Sequence, residues 1–417
     1  MSRVVALALA LSIVARRSHA AFPDASIDAR ALRDAGALLD VPSDDAAWYA
    51  AASWDDDHYA RALGTSTGRA QTVTTQAELL AALRDPLVEF VNVNATTLTL
   101  DSSAWPRRGV AVRRRATLRG ACAERCVVDA NGTSVASVVD GGRLTVERLA
   151  FENARGDFGG AFYFGRAHGG GSFDDAAFRG CEAREGGAVF VASDASAKNV
   201  VFRNVTFESC IATATNGRGG GAFVAASGPA YVAFESCAFE GNVANGLGGG
   251  VYADGGHVVI NACEFKTNAA ANGGGAALRG GGVVSSSAFD GNDATRAGGG
   301  VHVASPSDVV VGHRASSVQR SAFTNNTAAV AGAGAFAYGR VKMLANTFSQ
   351  NALPASAPSA LDPNYYVCTD TSDAGCSMKP TLADDVYDPA AYDPFTPQTS
   401  FATVPETTTT TTTTTYA

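Results

Sequence analysis

The most regular feature of the chain is the order in which apolar and polar positions return. Between Phe151 and Asn351 a Phe anchor is followed by a polar residue, by a small or amide residue three places on, and then by a glycine cluster that opens a new apolar run. The anchors are Phe151, Phe178, Phe207, Phe239, Phe265, Phe289, Phe323 and Phe348, spaced 27, 29, 32, 26, 24, 34 and 25 residues apart. The runs behind the glycines are GGAFYF, GGAVFV, GGGAFV, GGGVYA, GGGAAL, GGGVHV and GAGAFA. A period of this length without helical periodicity predicts one coil of a parallel β-helix per repeat. Each coil is expected to hold three short strands and three turns, stacked about 4.8 Å from the next.

Stacking turns equivalent positions into columns. The anchor column is Phe throughout, a buried file of rings. Three residues on, the column reads Ala154, Cys181, Cys210, Asn242, Asn268, Asn292, Asn326, Asn351. Its five amides predict an inward ladder in which each side chain bonds the ones above and below. Two residues before Phe, neighbouring coils carry Cys237 and Cys263. In-register stacking puts such cysteines about 4.8 Å apart at Cα, within disulfide reach. Bridges Cys181–Cys210 and Cys237–Cys263 are therefore expected, with stacked free thiols as the other arrangement. The column directly after Phe is Glu152, Arg179, Glu208, Glu240, Lys266, Asp290, Thr324, Ser349. It largely alternates in sign, which predicts solvent-facing ion pairs worth a few tenths of a kcal/mol each. The glycines are expected at a corner that needs positive φ or close approach between coils.

The flanks differ. Residues 21–71 are Ala- and Asp-rich, with helical spacing over Asp28 to Leu39. Asp55, Asp56, Asp57 and His58 read as a solvated loop, since adjacent ligands do not converge on one ion. From Thr72, TVTTQAELLAALRDP predicts a capped helix: Thr75 caps, Glu78 answers three residues on, Leu79, Leu80 and Leu83 face inward, and Pro86 ends it. VEFVNVNATTLTL and RRGVAVRRRATLRG then alternate as strands, with Arg113 to Arg115 mostly outward. The β-helix is expected over residues 72–352, a cap and linker over 353–406, and a stalk over 407–417, which holds the threonines Thr407 to Thr415.

Composition adds compartment and excludes partners. The formal net charge of −8 disfavours nucleic acid. Arg3, the apolar run Val4 to Ala15, and Ser18 and Ala20 at a cleavage site read as a leader over residues 1–20. No later run is long enough to span a membrane, so an extracellular, secreted or surface-attached protein is expected. Its eight cysteines would meet an oxidising compartment, with Cys122–Cys126 and Cys368–Cys376 as local clips. Asn94, Asn131, Asn204 and Asn325 head Asn-x-Ser/Thr acceptor sites for N-glycans. No catalytic, metal or cofactor constellation stands out. Asp174, Asp175 and the Gly312-His313-Arg314 stretch are the nearest pieces of a polysaccharide-cleaving site, and they stand far apart. His168, His257 and His302 read as solvent or turn histidines.

With the columns in hand, the array resembles the repeat of the polymorphic outer-membrane protein family, which joins Phe-x-x-Asn to Gly-Gly-Ala. The matching pieces are FEGN, FKTN, FDGN, FTNN and FSQN with GGAF, GGAV and GGAA, over roughly half the chain. Residues from Thr72 to about Asn153 look like the entry to a pectin-lyase-like fold. The resemblance implies an all-β, single-stranded, right-handed parallel β-helix of roughly ten coils with a short N-terminal helical cap. It also implies an extracellular, often adhesive role, with glycans or cell-surface proteins as partners. A polysaccharide lyase or hydrolase with a divergent site is the alternative.

Overall fold

The computed structural model describes residues 68–368, less 227, 256, 306–315, 340 and 358–362, and without the side chains of Ser305, Val367 and Cys368. The leader, the Asp28–Leu39 stretch, Asp55 to His58, His313, Cys376 and the Thr-rich tail lie outside the described residues.

The chain winds as a right-handed parallel β-helix of about ten turns. A helix, α1 (Gln76–Arg84), packs on Arg69–Val73, Val88–Val93 and Val110–Val112 at the start of the stack. Its first turn is closed by a capping box. The Glu78 backbone N–H donates to Thr75 Oγ1 (3.3 Å), and the Glu78 carboxylate accepts from the Thr74 and Thr75 N–H groups (2.8 and 3.1 Å). Leu79, Ala82 and Leu83 are buried. At the other end Arg114 Nη2 donates to the Ala82 and Leu83 carbonyls (3.0 and 3.2 Å), which a helix C-terminus otherwise leaves without partners.

Each coil passes through sheets in a fixed order. Sheet A has 11 strands, from Arg69–Val73 to Val341–Leu344; sheet B has 10, from Thr97–Thr99 to Thr347–Ser349. A shorter sheet D has seven, from Arg155–Phe158 to Thr327–Ala328; sheet C has 10, from Val110–Val112 to Tyr365–Cys368. The three-strand coil expected from the repeat therefore becomes four-sided from Arg155 onward. Tyr365–Cys368 pairs with Ala335–Gly339, so sheet C reaches past residue 352 into the expected linker.

The Phe anchors stand in register along sheet B, with successive ring centroids 4.6 to 5.6 Å apart. Beside them Phe173, Phe202 and Phe234 of sheet A stack at 4.9 and 4.8 Å. A second buried file lies on the opposite face of sheet C: Tyr163, Phe190, Phe223, Tyr252, Ala277, His302, Phe336 and Tyr366 stand in register. The end of sheet D and the segment that leads from it to the glycine corner cover it, through Phe158, Arg218 and Leu247. That excursion is why the coil has a fourth side.

The glycine triplets have three separate causes, visible at Gly248, Gly249 and Gly250. Gly248 sits at φ +67°. A Cβ on Gly249 would stand 2.3 Å from the Gly274 carbonyl oxygen of the next coil. One on Gly250 would stand 3.0 Å from the Phe265 ring. Positive φ is not confined to glycine, however. The corner between sheets A and B is held at φ 50° to 54° by Arg148, Asp175, Asn204, Ser236, Ala262, Ser286, Arg320 and Ala345.

Candidate functional site

The corner columns come first, because they decide which polar groups are left over for chemistry. Asn242, Asn268, Asn292, Asn326 and Asn351 form a continuous inward ladder. In each step the Oδ1 of one amide accepts from both the backbone N–H and the Nδ2 of the preceding coil's Asn, at 2.9 to 3.0 Å. Each Nδ2 also donates to a Phe anchor carbonyl, as Asn268 does to Phe239 O at 2.9 Å. A second ladder, with no counterpart in the sequence reading, runs two residues before the anchors. Cys263 N donates to Ser287 Oγ (3.1 Å), Ser287 N to Ser321 Oγ (3.3 Å), and Ser321 N to Asn346 Oδ1 (3.0 Å). Its signal was available: a polar or thiol residue recurs at that offset in Cys237, Cys263, Ser287, Ser321 and Asn346.

The cysteines occupy places in these ladders. Cys122 and Cys126 are bridged, while Cys181, Cys210, Cys237 and Cys263 are buried free thiols. The inter-coil bridges Cys181–Cys210 and Cys237–Cys263 are thus corrected to the thiol arrangement. Parallel in-register neighbours that share a rotamer hold their Cβ–Sγ vectors side by side, whereas a disulfide needs them turned by about 90°. Each sulfur instead meets a backbone carbonyl of the preceding coil, as an amide would: Cys210 Sγ lies 3.7 Å from Phe178 O and Cys263 Sγ 3.3 Å from Phe234 O. Burial and then the neighbouring thiol push Cys210 and Cys263 well above the ordinary thiol range. Buried thiols so disposed are poor nucleophiles.

The histidines also differ from expectation. His168 and His302 are buried, and His257 is half-buried. Burial lowers His168 to about 4 against the opposing pull of Asp194. Burial, then Arg296, lowers His302 to about 4. His168 stands beside Ser193, Nε2 to Oγ 3.4 Å, the juxtaposition a nucleophilic serine needs. The polarity is wrong for it. His168 Nδ1 accepts from Gly170 N (3.0 Å), so the ring proton is on Nε2 and points at the serine oxygen. The pair is structural wiring under the coil.

What remains is the outer face of sheet A. Arg119, Glu147, Asp174, Arg203, Glu235, Asn261, Ser285 and Gln319 stand in register as one outward column. Arg119 Nε meets Glu147 Oε2 at 2.6 Å. Arg203 is bracketed by Asp174 (3.5 Å) and Glu235 (3.4 Å), and Ser285 Oγ donates to Asn261 Oδ1 (2.8 Å). Partial burial pushes the Asp174 and Glu235 carboxyls upward, against the opposing charge of Arg203. At the neighbouring corner the disulfide loop Cys122–Cys126 lies against later coils: Arg148 Nη2 donates to the Cys122 and Ala123 carbonyls (2.9 and 3.1 Å), and Arg125 Nε to Asp175 Oδ1 (3.0 Å). Sequence reasoning singled out Asp174 and Asp175 but had no route to Arg125, which reaches Asp175 only because the bridged loop folds across two coils.

On sheet B, Arg179 pairs with Glu152 (3.0 Å) and Glu208 (3.2 Å), while Lys266 pairs within its own strand with Glu264 (2.7 Å). Among the described residues no group of three or more His, Cys, Asp or Glu is placed to hold a metal ion, and no helix is long and apolar enough to cross a membrane. The architecture defines the class: a single-chain parallel β-helix repeat protein. No protein-family model matches the chain, and no curated protein matches it.

Proposed function

We propose that this is a secreted or cell-surface β-helix with an adhesive or structural role, which presents the outer face of sheet A to glycans or to other surface proteins. The observation that carries the reading is the Asp174–Arg203–Glu235 cluster, half-buried and in register on a face of three consecutive coils. Carboxylates and a guanidinium at fixed spacing offer acceptors and donors to a hydroxyl-rich ligand, and partial burial raises what each bond contributes. The leader over residues 1–20 and the resemblance to polymorphic outer-membrane protein repeats support the location and the adhesive role. A glycan array probed with the purified chain and with Asp174→Asn/Glu235→Gln tests it. Retained binding by the double variant would remove sheet A from the reading.

The alternative, a polysaccharide lyase or hydrolase, is favoured by one observation: two carboxyls held above their usual range flank Arg203 on the same face. Reducing-end and unsaturated-uronate assays on polyuronates decide it. Turnover that disappears in Asp174→Ala would replace the binding reading with the enzymatic one.

A further inference from the structure

We infer that the four Asn-x-Thr sites are N-glycan acceptors that frame sheet B on both edges and so leave the other faces of the helix bare. The inference rests on the export reading above. It is carried by where the fold puts sites that are scattered in sequence. Asn94 lies between Val88–Val93 of sheet A and Thr97–Thr99 of sheet B. Asn204 lies between Val200–Arg203 of sheet A and Thr206–Glu208 of sheet B. Both are at the A/B corner. Asn131 follows Cys126–Asp129, and Asn325 follows Ala322–Thr324, so both mark the far edge of sheet B. All four asparagines are exposed.

The local geometry suits a substituted amide. Asn131, Asn204 and Asn325 sit at φ 46°, 51° and 55°, the left-handed turn conformation that Asn tolerates better than other side chains with a Cβ. They sit at turns between strands; the Asn204 and Asn325 N–H groups still donate to the next coil, to Glu235 O (3.0 Å) and Ser349 O (3.1 Å), which leaves their side chains directed outward. Asn204 Nδ2 donates to Asp175 Oδ1 (3.2 Å), Asn325 Nδ2 to Asp290 Oδ1 (3.0 Å) and Asn131 Nδ2 to Leu100 O (3.2 Å). An amide nitrogen joined to a sugar keeps one N–H, and one is all that each of these bonds uses. The inward asparagines are excluded by the same reasoning, since each ladder Nδ2 donates to two acceptors, as Asn268 does to Phe239 O and Asn292 Oδ1.

The step is a group transfer. Asn Nδ2 attacks the anomeric carbon of a lipid-linked oligosaccharide pyrophosphate, the C1–O bond breaks, the lipid pyrophosphate leaves, and the amide gives up one proton. Thr133 is buried, so transfer at Asn131 belongs to the emerging chain, before that coil closes. The consequence is directional. Among the described residues sheet B is the one sheet with acceptors at both edges, so its mixed-charge column lies closest to sugar and the face turned toward a partner is another one.

The test is expression of the full chain in a eukaryotic secretory host in two forms. One keeps its own residues 1–20 and the other carries a generic secretory leader in their place. Release of the second form alone counts against the native leader and so against the export reading, while its acceptor sites are still read. Peptide mapping after enzymatic deglycosylation in isotopically heavy water is expected to tag Asn94, Asn131, Asn204 and Asn325. Tags on both edges of sheet B support the framing. A released chain with no tag, or with tags on one edge only, overturns it. Thr206→Ala should abolish the Asn204 tag and Thr206→Ser should retain it, with both variants showing the parent β-sheet circular dichroism. A tag lost equally in both would mean that the local fold, not the acceptor motif, sets occupancy.

Discussion

Glu185 and Arg218 occupy adjacent coils directly before their glycine corners and form a buried two-pronged ion pair over the second aromatic file. Glu185 Oε2 accepts from Arg218 N and Nε (3.0 and 3.2 Å), and Oε1 meets Nη2 at 3.1 Å. The guanidinium lies 5.0 Å from the Phe223 ring centre and 5.7 Å from that of Tyr252. Arg218→Ala leaves a carboxylate buried without its counter-charge and is expected to cost about 3–5 kcal/mol in urea unfolding. Replacing both together, Glu185→Leu with Arg218→Met, should cost much less than the two single changes summed. Additive losses would show that the pair is not energetically coupled.

The amide ladder makes a directional prediction. Asn268→Leu removes the acceptor for Asn242 N and Nδ2 and the donor to Phe239 O, all fully buried. Each orphaned group costs about 1–3 kcal/mol, so the variant should lose several and open that coil to hydrogen exchange. Cys210→Asn should do the reverse. It sits at the next ladder position above Asn242 and has the Phe178 carbonyl to donate to, so a gain of about 1 kcal/mol is expected.

Backbone strain at the corners can be read by glycine exchange. Thr267 is β-branched at φ 52°, and Thr267→Gly should raise stability by about 0.5–1 kcal/mol after the entropy cost of glycine. Gly249→Ala should do the opposite, because its methyl would meet the Gly274 carbonyl of the next coil. Thermal unfolding of the two variants beside the parent gives the signs directly.

The buried histidines set an acid limit. Their folded pKa, about 4 for both His168 and His302, lies below the unfolded value near 6.5. The unfolded chain then binds more protons between those values. Their contribution is complete above about pH 6.5 and is lost as pH falls toward 4. Asp174 and Glu235, raised by burial, act in the opposite sense and recover part of it at the acid end. His302 stacks on Phe336 at 5.0 Å, so His302→Phe should extend the aromatic file and flatten the loss of stability between pH 7 and 5. An unchanged slope would assign the acid sensitivity elsewhere.

Much of this was legible along the chain, for a reason particular to stacks. A β-helix repeats one environment per coil, so Phe239, Phe265 and Phe289, or Asn242, Asn268 and Asn292, declare their burial by recurring at one offset. Periodicity could not reveal the second aromatic file, because its cover comes from loops of unequal length. Phe158, Arg218 and Leu247 each stand directly before a corner glycine but at different distances from their Phe anchors, and their residue types share no pattern. His302 stands in that file, and it is buried because the opposite face of sheet C is covered, which its position in the sequence does not state.

By itself, then, the sequence determined the coil, its Phe anchors, the amide column and the capping box of Thr75 and Glu78, since each depends on contacts at a constant offset or within one helical turn. Tertiary structure decided what depends on direction in space. It settled that Cys181 and Cys210 lie side by side as thiols, that Glu185 meets Arg218 over the second aromatic file, and that the Cys122–Cys126 loop brings Arg125 across to Asp175. Those relations turn on side-chain vectors and loop paths, which a one-dimensional pattern does not contain.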